Sequence, residues 1–196
     1  MTSLEEKCIS ERAICLANDL EFYLTGVRAE NLEAIVDAIM GAKRVFVGGA
    51  GRSFLSMKMF AMRLMQLGKQ TYLVGEVCTP ALGKGDIFLV ASCSATTEIT
   101  QMLMRKAKSA EARVIFFSAR RAGELSCFDD LILFPDPEGV KKRHRTDHLT
   151  IRGEGYSAKG LFEAALLIFT DAIIDFIKDR YQISYFDMHK NHANLE

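Results

Sequence analysis

Tryptophan is absent from this chain of 196 residues, and proline occurs only three times. So little proline excludes a Pro-rich linker and a sandwich of short strands joined by proline turns. Neither sign of charge is in excess, with 25 basic and 25 acidic side chains. A dedicated nucleic-acid binder ordinarily carries a basic surplus, so no nucleic-acid partner is expected. No apolar run approaches the roughly 18 residues of a membrane span, so no membrane partner is expected either. The five cysteines are odd in number and form no Cys-x-x-Cys pair. That pattern excludes a disulfide framework and a structural zinc site. The first residues, Met1 to Lys7, lack the apolar stretch of a secretory signal. A reduced, cytoplasmic protein is the expectation.

What is present fits a folded α/β protein. Hydrophobic residues make up 49% of the chain and charged residues 26%, enough for a sizeable core and too few charges for disorder. The first 40 residues read as two amphipathic helices, the second opening at Asn31 as a plausible cap. Five apolar runs follow, near Arg44–Gly49, Gln70–Gly75, Asp86–Ser92, Arg113–Ser118 and Asp130–Phe134. Helical patterns separate several of them, notably Gly51–Gly68 and Thr96–Ala110. Runs that are apolar throughout, rather than alternating, predict strands covered on both faces, hence a parallel sheet between helices. Residues 135–157 read as irregular and carry a basic run, Lys141–Arg145. Beyond them come a long apolar helix over Leu161–Ile177 and a polar one over Ser184–Asn194. With no internal repeat, the chain reads as a single domain, 1–196, with helical ends at about 4–41 and 158–194.

Ligands of open parallel sheets bind beyond the carboxyl ends of the strands. The first such end, Gly48-Gly49-Ala50-Gly51-Arg52-Ser53, lets backbone approach an anion at the start of a helix, with Arg52 and Ser53 as added donors. It also resembles a dinucleotide fingerprint, with Glu76 placed as the ribose acid, although Phe54 stands at the third glycine. A purely structural turn is the remaining alternative. The second end, Ser92-Cys93-Ser94-Ala95-Thr96-Thr97, sets three hydroxyls, Ser92, Ser94 and Thr97, at a helix N-terminus, more than a cap requires. Cys93 stands there as a candidate thiolate, with no histidine beside it in sequence. Asp187, His189 and His192 share the last helix, where weak metal binding is an alternative to a metal-free site.

Gly49-Ala-Gly-Arg-Ser53 and Ser92-x-Ser94-x-x-Thr97 together resemble the sugar isomerase (SIS) domain family. Phe60-Ala-Met-Arg-Leu-Met65, Val74-Gly-Glu76, Leu161-Phe-Glu163 and His192-Ala-Asn-Leu-Glu196 make the likeness closest to its 6-phospho-3-hexuloisomerase branch. The resemblance implies a three-layer αβα sandwich around a five-stranded parallel sheet, of flavodoxin or Rossmann type. It implies a cofactor-free phosphosugar isomerase, a homo-oligomer (dimer or tetramer) with active sites shared between subunits. Ser53, Ser92, Ser94 and Thr97 would hold the phosphate and Arg52 the sugar. Glu163 and His192 would transfer protons. Glu163 suits this, because a carboxylate in the apolar run from Gly160 to Phe169 is costly without a purpose or a partner. Where the family usually reads Ser-Gly-Ser-Gly-Glu-Thr, this chain has Cys93, Ala95 and Thr96. A non-catalytic phosphosugar sensor, or an isomerase of another sugar phosphate, therefore stays open beside hexulose 6-phosphate isomerisation.

Overall fold

A computed structural model describes residues 3–121, 127–137 and 158–194. In chain order the elements are α1 (Ser3–Leu24), β1 (Arg28–Ala29), α2 (Leu32–Gly41), β2 (Val45–Gly49), α3 (Gly51–Gln66), β3 (Thr71–Leu73), β4 (Ile87–Ala91), α4 (Glu98–Ser109), β5 (Arg113–Ser118), β6 (Asp130–Leu133), α5 (Ala158–Tyr181) and α6 (Tyr185–Lys190). They build one sheet in the order β1-β6-β5-β4-β2-β3. The five expected strands are all present and mutually parallel. The two-residue β1 adds a sixth, antiparallel to β6, with Arg28 opposite Leu133. Two residues between helices carry no strand pattern, which is why periodicity does not show them.

The apolar strands hide an alternation. Val45, Val47, Ile87, Leu89, Ile115 and Phe117 face one side, where they pack with residues of α2, α3 and α5. Phe46, Phe88, Val90, Val114 and Phe116 face the other, with Met104 and Ala107 of α4. Side chains of a strand point alternately to its two faces, and here both faces are covered by helices. That is the three-layer sandwich the sequence implied. At the amino end of β4, the Asp86 carboxylate accepts from Arg44 Nε at 3.0 Å and Arg44 Nη2 at 2.6 Å. It also accepts from the Gly83 N–H at 2.8 Å. Burial opposes its charge, but these bonds outweigh burial and hold the carboxyl below the usual range.

Connections decide where a site can form. From β2 the chain runs outward through α3 to β3, then returns across β2 to β4 and continues to β5 and β6. The direction of winding thus reverses between β2 and β4, whose last residues, Gly49 and Ala91, lie side by side. A crevice at that reversal is where open sheets hold ligands. No helix among the described residues is long and apolar enough to cross a membrane. The Lys141–Arg145 run lies outside the described residues.

Candidate active site

The turn after β2 enters α3 through Gly49 at φ 150° and Gly51 at φ 56°, conformations that a side chain strongly disfavours. The turn aims Arg52 and Ser53 along the first turn of α3. Arg52 is exposed, whereas Ser53 is buried. Helix α5 packs beside α3 and brings in Glu163, which is 7% exposed. Ser53 Oγ donates to Glu163 Oε1 at 3.1 Å, and Ser56 Oγ, one turn on, donates to the Glu163 backbone carbonyl at 3.1 Å. Two serines of α3 therefore grip one glutamate of α5. Its other oxygen, Oε2, is buried without a hydrogen-bond partner. The nearest cation is Arg52, with Nε 3.8 Å away, beyond hydrogen-bond length. Only one other buried side-chain oxygen among the described residues lacks a partner, Thr100 Oγ1 in the first turn of α4.

The Ser92–Thr97 loop lies across the crevice. Ala95 is held at φ 59° and buried in the core that holds Phe88 and Met104. Cys93 packs the opposite way, into the core under α3 and α5. The two residues that replace the family's glycines thus fasten the loop to both faces of the sheet. Keeping an alanine in the left-handed region costs about 1 kcal/mol, which the buried methyl offsets. Cys93 is half-buried and packs against the core under α3 and α5.

Hydroxyl bonding in the loop leaves protons for a ligand. Ser94 Oγ accepts from the Thr96 hydroxyl at 2.9 Å and from the Thr96 N–H at 3.3 Å, so its own O–H is not engaged by either bond. Ser92 Oγ and Thr97 Oγ1 lie 3.1 Å apart and share one hydrogen bond, so one of their two protons is also not engaged there. Thr97 occupies the cap position of α4 without bonding to the helix through its side chain. The start of a helix draws negative charge through its N–H groups and dipole. Ser118, wholly buried at the end of β5, donates to the Ser92 carbonyl at 2.8 Å and fixes the base of the loop.

Sequence reasoning missed Ser56 and Ser118. Ser118 was readable by the strand-end rule that found Ser92. Ser56 was readable only as the helical neighbour of Ser53, three residues on. Tyr23 was missed as well. It is fully buried and donates to the Pro135 carbonyl at 2.6 Å. Burial, with the nearby Cys93, Asp136 and Glu163, raises its phenol far above the usual range, so it stays a neutral donor. Glu76, weighed as a ribose acid, instead meets Lys58 Nζ at 3.4 Å, and Lys58 lies over the Phe54 ring.

His192 is not brought to this crevice within one subunit. Asn191 Nδ2 donates to the Gln66 carbonyl, so the last described segment is pinned to the far end of α3. Thirteen residues of helix separate Ser53 from Gln66, about 20 Å at 1.5 Å per residue. There His192 and His189 line a groove with Arg63, Asp171 and Asp175. Their rings are 6.1 Å apart, and Asp187 is taken up by Ser184 and Lys190. Among the described residues no three His, Cys, Asp or Glu side chains are placed to hold a metal ion.

No family model matches the chain. A 3-hexulose-6-phosphate isomerase of Methylomonas aminofaciens is 34% identical over 196 residues, covering 100% of both chains. One of Bacillus subtilis is 33% identical over 92% of this chain and 95% of its own. A crystal structure from Methanococcus jannaschii superposes with a TM-score of 0.73 at 28% identity, covering 95% of this chain and 99% of that one. That crystal structure infers a molecular function of 3-hexulose-6-phosphate isomerase for the protein from Methanococcus jannaschii.

Proposed function

The chain belongs to the 3-hexulose-6-phosphate isomerase family, and from that membership we propose that it interconverts 3-hexulose 6-phosphate and fructose 6-phosphate through an enediol, without a cofactor, as one domain. The observation that carries the reading is Glu163, buried with Oε1 held by Ser53 and Oε2 without a hydrogen-bond partner. Native proteins leave few buried polar atoms unsatisfied, and an exception calls for a purpose. In this reading Oε2 removes the proton from C2 of the substrate and returns it at C3. The electron pair of the broken C2–H bond forms the C2–C3 double bond while the C3 carbonyl oxygen gains a proton. The reverse shift then leaves a carbonyl at C2. Arg52, the cation nearest Oε2, offsets negative charge developing on the enediol oxygens.

Ser94, and Ser92 with Thr97, donate to the phosphate at the start of α4, and Ser53 completes that cradle when it releases Glu163. His192 moves the proton between the two oxygens, a task suited to an imidazole near neutral pH. Because the segment that carries His192 is pinned at Gln66, about 20 Å along α3 from Ser53, His192 serves the crevice of a second subunit, so the working form is a homo-oligomer. Leu55, Met59 and Met62 leave an exposed apolar stripe along α3, which suits such contact. The test is a coupled assay that supplies 3-hexulose 6-phosphate and follows fructose 6-phosphate. Turnover supports the isomerase. Tight binding of the sugar phosphate with no turnover identifies a sensor instead.

A further inference from the structure

A third strand end reaches the crevice. The Ser118 hydroxyl that donates to the Ser92 carbonyl at 2.8 Å also accepts from the Arg120 N–H at 3.2 Å. One wholly buried oxygen thus joins the phosphate loop to the backbone of Arg120. The Ala119 N–H donates to the Cys93 carbonyl at 3.3 Å, so the chain after β5 runs alongside the loop up to the residue before Ser94. Arg120 follows one residue, about 3.8 Å of chain, later. Its side chain is more than half exposed, and its guanidinium stands 3.9 Å from the Asp136 carboxylate, beyond a direct hydrogen bond. Asp136 itself is held in place through Pro135, whose carbonyl takes the buried Tyr23 hydroxyl.

The charge balance gives this arginine a task. The loop offers only neutral hydroxyls and N–H groups, while a phosphate monoester near neutral pH carries close to two negative charges. Glu163 lies across the same crevice, and Glu98 is on the first turn of α4. Arg52 stands 3.8 Å from Glu163 and offsets that carboxylate, but the loop meets the phosphate with neutral donors alone, and a second arginine answers its charge with charge-assisted, two-pronged bonds. We propose that Arg120 is a further binding residue of this site, turning from its loose contact with Asp136 to the phosphate of the bound sugar. The inference rests on the reading of Ser92–Thr97 as the phosphate loop. Asp136 is then a competitor that keeps Arg120 close to the loop when no anion is bound.

Calorimetric titration with inorganic phosphate at low ionic strength tests this. Wild type, Arg120→Ala, Arg120→Lys, Asp136→Asn and Arg121→Ala are compared, each checked for folding by circular dichroism. Arg120→Ala is expected to weaken phosphate about tenfold or more, with Arg120→Lys in between. Asp136→Asn removes the competitor and should tighten binding two- to fivefold (about 0.4–1 kcal/mol). Arg121→Ala should stay within about twofold, since the exposed Arg121 lacks the backbone tie to the loop that Ser118 gives Arg120. Phosphate affinity unchanged in Arg120→Ala overturns the assignment, as does an equal loss in Arg121→Ala, which would mark a diffuse field. A wild-type protein that binds no phosphate overturns the phosphate-loop reading itself, and this inference with it.

Discussion

Replacing Glu163 by glutamine separates chemistry from architecture more sharply than any other change in the crevice. The amide keeps the volume of the carboxylate, and its oxygen still accepts the Ser53 hydroxyl seen at 3.1 Å. The Ser56 bond to the backbone carbonyl is untouched. What disappears is the proton acceptor at Oε2. Loss of a positioned base ordinarily costs 10²- to 10⁴-fold in rate, about 3–5 kcal/mol of barrier at 1.36 kcal/mol per decade. Folding is affected little. Oε2 is a buried oxygen without a hydrogen-bond partner, and a neutral amide is less costly to bury than a charged group, but the amide gives up the Arg52 contact at 3.8 Å. The two effects oppose each other, so Tm should stay within about 2 °C for a domain of this length. The coupled assay gives kcat, and a thermal scan gives Tm. Glu163→Gln should turn over at least about a hundredfold more slowly, with KM within about twofold and Tm nearly level. If Tm falls together with activity, Glu163 is a structural partner of Arg52 and Ser53, and its assignment as base fails.

Three further outcomes follow from other parts of the molecule. Ser94→Ala combined with Thr97→Val removes two hydroxyl donors at about 1 kcal/mol each, so inorganic phosphate should bind roughly 30-fold more weakly by calorimetry; an unchanged affinity moves the anion site elsewhere. That double variant and His192→Ala should each be inactive as pure oligomers. Mixed refolding makes about half of random dimers hybrid, each with one intact site, and should return about a quarter of wild-type activity; no recovery in verified hybrids would refute the shared site. At the opposite end of the sheet, the Asp86 carboxyl lies below its ordinary value when folded. Its stabilisation is therefore complete above the unfolded value of about 3.9 and is lost as pH falls through the folded value. Asp86→Asn should cost about 1–2 kcal/mol in urea unfolding at pH 7, and that gap should shrink as pH falls below the unfolded value; a gap independent of pH would mean that the Arg44 pairing contributes little.

The sheet was legible because its strands are short apolar runs stopped by turn residues; Ile87–Ala91, for example, falls inside the run read at 86–92. Which side of the sheet each side chain faces was not legible, since a strand covered on both faces shows no polar alternation. Asn31 does precede α2, but it adopts φ 58° and makes no side-chain cap bond. Asparagine's tolerance of the left-handed region, rather than its capping oxygen, decides its place. The strand-end rule located both loops of the crevice from sequence alone. It could not pair Ser53 with Glu163, which are 110 residues apart and meet only because α3 and α5 pack together. Nor could it foresee that Asn191 ties the terminal segment to the remote end of α3, since that bond depends on the path of the chain after α5 and not on any local pattern.

The double fastening of the Ser92–Thr97 loop reaches beyond geometry. Cys93 belongs to the packing of one helical layer and Ala95 to that of the other, so loosening either layer releases one of the loop's two anchors. An anion bound there therefore acts as a rivet through the sheet. At a concentration a hundred times its Kd it adds about 2.7 kcal/mol to the stability of the folded state. Because each anchor sits in a different layer, that gain extends to both. On the proposed reading of the loop, substrate at such concentrations would slow proteolysis of the folded chain as well as feed its turnover.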